Sequence, residues 1–254
     1  MRIGLIGFGK AGKAVASVIL QHPDMELVWV LRRSDVLEKR SVAEFLGVSP
    51  ATGTDATIHS IEHVDIEQFL DEYPVDGIID FSPASGIYTY GRAAARRGIT
   101  IISAVSHYAE AEKELLAELA RETVVFWSPN ITLGVNYLLF AGKFLKKIAP
   151  WADIEVVEEH FKQKQGVSGT ALKIAEALEV NISDINSVRA GGIVGRHEVI
   201  FGFPYQTVRL IHESISREAF GNGVIFAAQN LKGLANGLYD FEDILLPYFS
   251  TGKN

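Results

Sequence analysis

The feature that most constrains the fold is a glycine triplet near the start of the chain, Gly7-Phe8-Gly9-Lys10-Ala11-Gly12. Residues 2–6 are apolar and run straight into the first glycine, which reads as a buried strand. Residues 11–21 place apolar side chains at helical spacing, and residues 26–31 read as a second strand. Strand, glycine turn, helix, strand is the opening of a doubly wound, Rossmann-like unit. In such a turn the first glycine permits a tight bend and the second lets the backbone approach a ligand. The third lets helix and strand pack closely, and the amides at the helix start face a phosphate. Gly7, Phe8, Gly9, Lys10, Ala11 and Gly12 are therefore the candidate pyrophosphate cradle. The second strand ends in Leu31-Arg32-Arg33-Ser34, with no acid to bind ribose hydroxyls. Guanidinium forks suit a 2′-phosphate, so Arg32 and Arg33 favour NADPH, with NADH as the alternative cofactor.

The alternation continues. Residues 75–81 read as a strand ending at the turn signal Ser82-Pro83, and residues 88–97 as a helix stopped by Gly98. Residues 99–102 and 124–127 are further strands around a helix at 109–121, which implies a mainly parallel sheet. After Ser128-Pro129-Asn130 the pattern changes. A helix is expected over 134–148, a half-buried strand over 154–158 and a helix over 171–179. Strand-like stretches at 187–190, 197–201 and 207–211 have little helix between them, which suggests an α+β domain with a mixed or antiparallel sheet. A last helix at about 217–231 precedes Gly233. With 254 residues the chain suits two modest domains. The expected division is a dinucleotide-binding domain at 1–129, completed by 233–254, and a substrate-binding and oligomerisation domain at 130–232.

Composition narrows the partners. A net charge of −7 argues against a general nucleic-acid binder. The absence of cysteine excludes disulfides and thiolate chemistry and suits a reducing, cytoplasmic setting. The apolar run after Arg2 is too short for a signal core, and no apolar run reaches about 18 residues, so no membrane span is expected. No His, Asp and Glu spacing suggests a metal site.

A second constellation lies far from the first. His160 follows the strand at 154–158, Lys164 comes four residues on, and Ser168-Gly169-Thr170 opens a helix. Amides at a helix start bind carboxylate, lysine adds a point charge and a proton, and histidine donates a proton near neutral pH. A small dicarboxylate with a reducible C=N or C=C bond would use all three. Glu158 and Glu159 read as a solvated strand end, and His197 and Glu198 as sheet or interface residues. Ser168 lacks an evident neighbouring base, and Lys143, Lys146 and Lys147 read as one solvated helix face.

Several segments together resemble one family. They are the glycine loop, Asp80-Phe81-Ser82-Pro83, the run from Ser128 to Asn136, His160 with Lys164 and Ser168-Gly169-Thr170-Ala171, the run from Arg189 to Phe201, and His212 to Phe220. The chain is similar to the 4-hydroxy-tetrahydrodipicolinate reductase family, also called dihydrodipicolinate reductase, of lysine and diaminopimelate biosynthesis. The resemblance implies a homotetramer that uses NADPH or NADH to reduce a cyclic imine dicarboxylate, with loss of water, to tetrahydrodipicolinate. It implies His160 as general acid and Lys164 as second proton donor, with Ser168, Gly169 and Thr170 on a substrate carboxylate. It also implies Phe81, Ser103, Val105, Ser128, Asn130 and Ile131 around the nicotinamide, with residues 128–131 as the passage into the second domain. The chain departs from the family pattern at Phe161, where a second histidine is usual, in the shortened Gln165-Gly166-Val167 linker, and at Val105. These departures keep two alternatives open: a related reductase of a different cyclic imine or oxo acid, and a non-catalytic NADP-binding regulatory protein.

Overall fold

The computed structural model describes residues 1–250, and residues 251–254 lie outside the described residues. The chain forms two compact units. Unit 1 holds Met1–Thr132 and the chain from Phe220 onward, and unit 2 holds Leu133–Ala219.

Unit 1 is built on β1 (Arg2–Ile6), α1 (Lys10–Leu20), β2 (Glu26–Arg32), α2 (Val42–Leu46), β3 (Thr57–Ser60), α3 (Ile66–Glu72), β4 (Gly77–Asp80), α4 (Ile87–Arg96), β5 (Thr100–Ser103), α5 (Glu110–Leu119) and β6 (Val124–Trp127). Its seven-stranded sheet runs β11-β6-β5-β4-β1-β2-β3, where β11 is Gly237–Tyr239, and every pairing is parallel. Strands buried on both faces read as continuous apolar runs, and β1 and β4 are nearly all buried. The chain winds outward from β1 through β2 to β3, then restarts on the other side at β4. The reversal between β1 and β4 is the topological switch point, beyond whose strand ends ligands bind in folds of this kind.

Unit 2 contains α6 (Leu133–Ile148), β7 (Asp153–His160), α7 (Gly169–Leu178), β8 (Ile185–Arg189), β9 (Gly195–Phe203) and β10 (Gln206–Ser214). The sheet order is β10-β9-β7-β8. β9 is antiparallel to both β7 and β10, while β7 and β8 are parallel, joined through α7, so the sheet is mixed. Leu138 of α6 and Ala171, Ile174, Ala175 and Leu178 of α7 pack on Val156, Val199 and Phe201 of the sheet.

Two sequence expectations shift. The return into unit 1 falls at 219/220, not at 232/233. The helix α8 (Ala219–Leu231) packs on unit 1: a Cβ on Gly221 would lie 2.5 Å from the Val18 side chain, and Phe226 stacks on Phe241. The strand expected at 154–158 continues to His160, so Glu158 and His160 lie two apart on one strand face. Among the described residues no helix is long and apolar enough to cross a membrane.

Candidate active site

In unit 1 the glycine loop lies at the end of β1. Gly7 has φ +94°, and a Cβ there would sit 2.5 Å from the Phe81 carbonyl group. Its amide donates to Leu31 O at 2.9 Å, which ties the turn to β2. A Cβ on Gly12 would lie 1.9 Å from Gly7 O, so only glycine lets α1 pack against the loop. Gly9 differs: a Cβ built there meets nothing within 4 Å, which leaves its backbone open for a ligand. Gly9 is also the residue before α1, whose first turn carries no acid to compete for an anion. Lys10 is exposed, Ala11 half-buried and Phe8 buried.

A cleft of about 600 Å³ opens over this loop, lined by Gly7, Phe8, Gly9, Arg32, Arg33 and Phe81 among others. Glu62, Ser85 and Thr89 also line it, and the sequence reading had not singled them out. Arg33 Nε is 3.6 Å from Glu62 Oε1, with both side chains exposed. Under the cleft, Asp80 is fully buried and accepts from Tyr90 OH at 2.8 Å and Ser82 N at 2.7 Å. Burial pushes its carboxyl up, against those hydrogen bonds. The donor set fits a dinucleotide phosphate: an open glycine backbone, a helix start and two guanidinium groups.

The other residues named for the cofactor are placed differently. Ser103 is buried with its hydroxyl 2.8 Å from Tyr108 OH. Val105 is buried in the unit 1 core, and its carbonyl accepts from Trp127 Nε1 at 2.9 Å. Ser128 Oγ donates to Asn130 O at 2.6 Å, Asn130 Oδ1 accepts from Thr132 N at 3.1 Å, and Ile131 is buried. None of the five side chains is among those lining the cleft. His107, beyond Val105, is exposed.

In unit 2 the reading of Glu158 as a solvated strand end is overturned. Glu158 is 0% exposed. Its Oε2 accepts from His160 Nδ1, and its Oε1 accepts from Ser187 Oγ and from Arg189 Nη2, each at 2.5 Å. Burial alone would raise the Glu158 carboxyl, but the hydrogen bonds from Arg189, Ser187 and His160 outweigh it and hold the group below its ordinary range. An ionised Glu158 must accept, so Nδ1 of His160 carries the hydrogen and Nε2 is left for chemistry. A Cβ on Gly195 would stand 3.1 Å from that Nε2, so glycine there keeps the atom uncovered. Burial lowers His160 below the usual imidazole value; Glu158 opposes that shift, and the charges of Lys164 and Arg189 reinforce it.

The helix start beside this couple is also built. Ser168 Oγ accepts from Ala171 N at 3.1 Å, an N-cap, and lies 3.0 Å from His197 Nε2. His197 is therefore part of the site and not merely a sheet residue, and Ser168 does have an imidazole neighbour. His197 is 5% exposed, its ring centroid is 5.3 Å from that of His160, and its Nδ1 has no hydrogen-bond partner. Burial, with His160 and His212 adding to it, lowers His197 to about 4. No carboxylate orients His197, so the pair is not a hydrolytic triad. Gly169 and Thr170 are the first two residues of this helix, directly after the Ser168 cap. Lys164 is half-buried, and no carboxylate among the described residues lies within ion-pair distance of its ammonium group. Phe161 is 42% exposed. Lys146 is no bystander on a solvated face: its ammonium donates to Leu178 O and Glu179 Oε2, both at 2.7 Å.

Glu158, Arg189 and His197 are the site residues that sequence reasoning missed. The signal for Glu158 was present, since residues i and i+2 of a strand share a face. Arg189 and His197 come from other strands, β8 and β9, and only the sheet pairing Glu158↔Ser187 and Glu158↔His197 brings them in.

Comparison with known proteins places the chain in a family. Residues 1–131 match the family model for the dihydrodipicolinate reductase N-terminus, and residues 134–245 match that for its C-terminus. A 4-hydroxy-tetrahydrodipicolinate reductase of Caldanaerobacter subterraneus subsp. tengcongensis is 32% identical over 260 residues, spanning 93% of this chain and 94% of that protein. A protein of the same name from Methanocaldococcus jannaschii is 28% identical over 262 residues, with 93% and 94% covered. Among solved structures, a dipicolinate-bound dihydrodipicolinate reductase from Paenisporosarcina sp. TG-14 shares the fold with a TM-score of 0.80 at 21% identity, covering 96% of this chain and 99% of that one.

Proposed function

The chain belongs to the dihydrodipicolinate reductase family, and from that premise we propose that it reduces 4-hydroxy-tetrahydrodipicolinate to tetrahydrodipicolinate, with NADPH preferred over NADH. The observation that carries this reading is the buried Glu158–His160 couple beside a serine-capped helix start and a half-buried lysine, all within unit 2. The amides of Gly169 and Thr170, with Ser168, take one substrate carboxylate, and the Lys164 ammonium supplies the opposing charge. A bound dicarboxylate brings negative charge next to His160, which raises the imidazole's proton affinity against its burial. His160 Nε2 then donates the proton that reduction of the ring with loss of water consumes, while Glu158 holds Nδ1 and fixes the ring. When bound, the nicotinamide supplies the hydride.

In unit 1, Gly7 to Gly12 and Phe81 cradle the dinucleotide, and Arg32 and Arg33 meet the 2′-phosphate that distinguishes NADPH. Ser103, Val105, Ser128, Asn130 and Ile131 belong to the nicotinamide surroundings in this reading, chiefly through their backbone. The same reading makes the protein a cytoplasmic homotetramer in lysine and diaminopimelate biosynthesis, its subunit number measurable by light scattering.

The deciding assay follows NADPH oxidation by absorbance while pyruvate and aspartate semialdehyde are condensed in situ, with His160→Gln and Lys164→Ala beside the parent. Turnover that collapses in both variants supports the assignment, and no turnover by the parent with NADPH still bound rejects it. A second reading, a related reductase of another cyclic imine, rests on the exposed Phe161 where the family usually has histidine. That reading predicts turnover of another imine and no gain on the lysine intermediate from Phe161→His.

A further inference from the structure

Arg189 is the residue through which the two proposed proton donors are joined. It stands at the end of β8, opposite His160 in the register of β7. Its Nη2 donates to Glu158 Oε1 at 2.5 Å, and Glu158 in turn holds His160. Its Nε donates to Lys164 O at 3.0 Å, and Nη2 also donates to Gly166 O at 2.6 Å. Nη1 donates to its neighbour's carbonyl, Val188 O, at 2.8 Å. One planar guanidinium thus spans a buried carboxylate and two carbonyls of the loop that carries Lys164. That loop has few other anchors: Lys164 N donates to Phe161 O within the loop, and Lys162 N to Gly191 O across it. Gly166 turns the loop at φ +63°, a backbone conformation that glycine adopts without strain, and Val167 beyond it packs against the unit 2 core.

We propose that Arg189 is a positioning residue of this site: seated on Glu158, its guanidinium fork ties down the Lys164–Gly166 segment so that Lys164 and His160 are presented together to a dicarboxylate. The inference rests on the proposed function for its ligand but not for its geometry. Lysine could keep a charge near Glu158. As a flexible point charge it cannot hold Glu158 and both carbonyls in one plane. Charge and fork are therefore separable by substitution. The groups that face His160 are Glu158 on its own strand, Arg189 on β8, Lys164 on the loop and His197 on β9. Of these, Arg189→Met removes one positive charge and Arg189→Lys removes none.

The test uses the full chain, with Arg189→Lys and Arg189→Met, and dipicolinate as an unreactive dicarboxylate probe. Binding of dipicolinate and of NADPH is measured by calorimetry, amide exchange over residues 162–167 by mass spectrometry, and the His160 ring titration by NMR, assigned with His160→Gln. Both variants are expected to exchange faster over the loop and to bind dipicolinate about tenfold or more weakly, with NADPH affinity unchanged. The His160 titration should move upward in Arg189→Met and stay near the parent value in Arg189→Lys. Unchanged loop exchange in both variants overturns the proposal. So does a loss of NADPH and dipicolinate binding in parallel with a lowered melting temperature, because that is the signature of a merely structural arginine. If Arg189→Met does not fold, Arg189→Lys decides through loop exchange alone. A parent chain that binds no dipicolinate defeats the proposed function, whereas the exchange and titration readouts still decide the role of Arg189.

Discussion

Ser168→Ala tests the site where structure and chemistry meet. The hydroxyl has two partners: it accepts from Ala171 N at 3.1 Å as the cap of α7, and it lies 3.0 Å from His197 Nε2. Loss of a serine N-cap costs about 1 kcal/mol. Leaving the buried His197 Nε2 without a partner costs about 1–3 kcal/mol more, and no compensation is at hand because Nδ1 of the same ring is already unpartnered. The sum, roughly 2–4 kcal/mol, falls on α7 and the strands beneath it. Amide exchange over residues 169–178 measures this locally, without assuming that the two units unfold together. Working near pH 8 keeps His197 neutral in the folded chain, where it titrates at about 4, and in the unfolded chain. Ser168→Thr keeps the hydroxyl and should lose less than half as much. A change below about 0.5 kcal/mol in Ser168→Ala, within the ordinary range for surface substitutions, would refute the reasoning, because it would mean that neither hydrogen bond contributes to the fold.

Three further outcomes are expected. Gly12→Ala places a methyl where Gly7 O stands 1.9 Å away, so NADPH binding should fall below detection while dipicolinate binding is kept; equal NADPH affinity in calorimetry would defeat the cradle assignment. The double substitution Arg32→Ala with Arg33→Ala should raise KM for NADPH about tenfold or more through loss of charged hydrogen bonds and leave KM for NADH nearly unchanged; equal effects on both cofactors would remove the 2′-phosphate role. For His197, whose folded value of about 4 lies below an unfolded value of about 6.5, the native state binds fewer protons, so its contribution is complete above about pH 6.5 and lost as pH falls toward 4. That loss amounts to roughly 3 kcal/mol, and urea unfolding of parent and His197→Gln at pH 7.5 and 4.5 should show the parent losing more; parallel losses would contradict the assignment.

Some of this was legible in the sequence for a definite reason. The Gly7–Gly12 turn has local requirements, a positive φ and two close backbone approaches, that only glycine meets, so the spacing alone announces the turn. The long strands and helices announced themselves by period, and β1, α1, β2, β5, β6 and α6 lie close to where the pattern puts them. The stretch from residue 33 to 74 was silent because α2, β3 and α3 have only 5, 4 and 7 residues, too short for a period to stand out. The return crossing was misplaced because α8 is apolar over much of its surface, and the sequence does not say which unit receives it. In unit 2, His160, Lys164 and Ser168 are near neighbours along the chain and could be read together. The groups that determine what they can do are not. Glu158 is charged in a buried place only because Arg189 and Ser187 reach it from β8, and Ser168 finds His197 on β9. Local backbone geometry and periodicity act within a few residues, so sequence carries them. Desolvation and pairing of buried charges depend on which strands lie side by side, and that was decided only when β7, β8 and β9 formed one sheet.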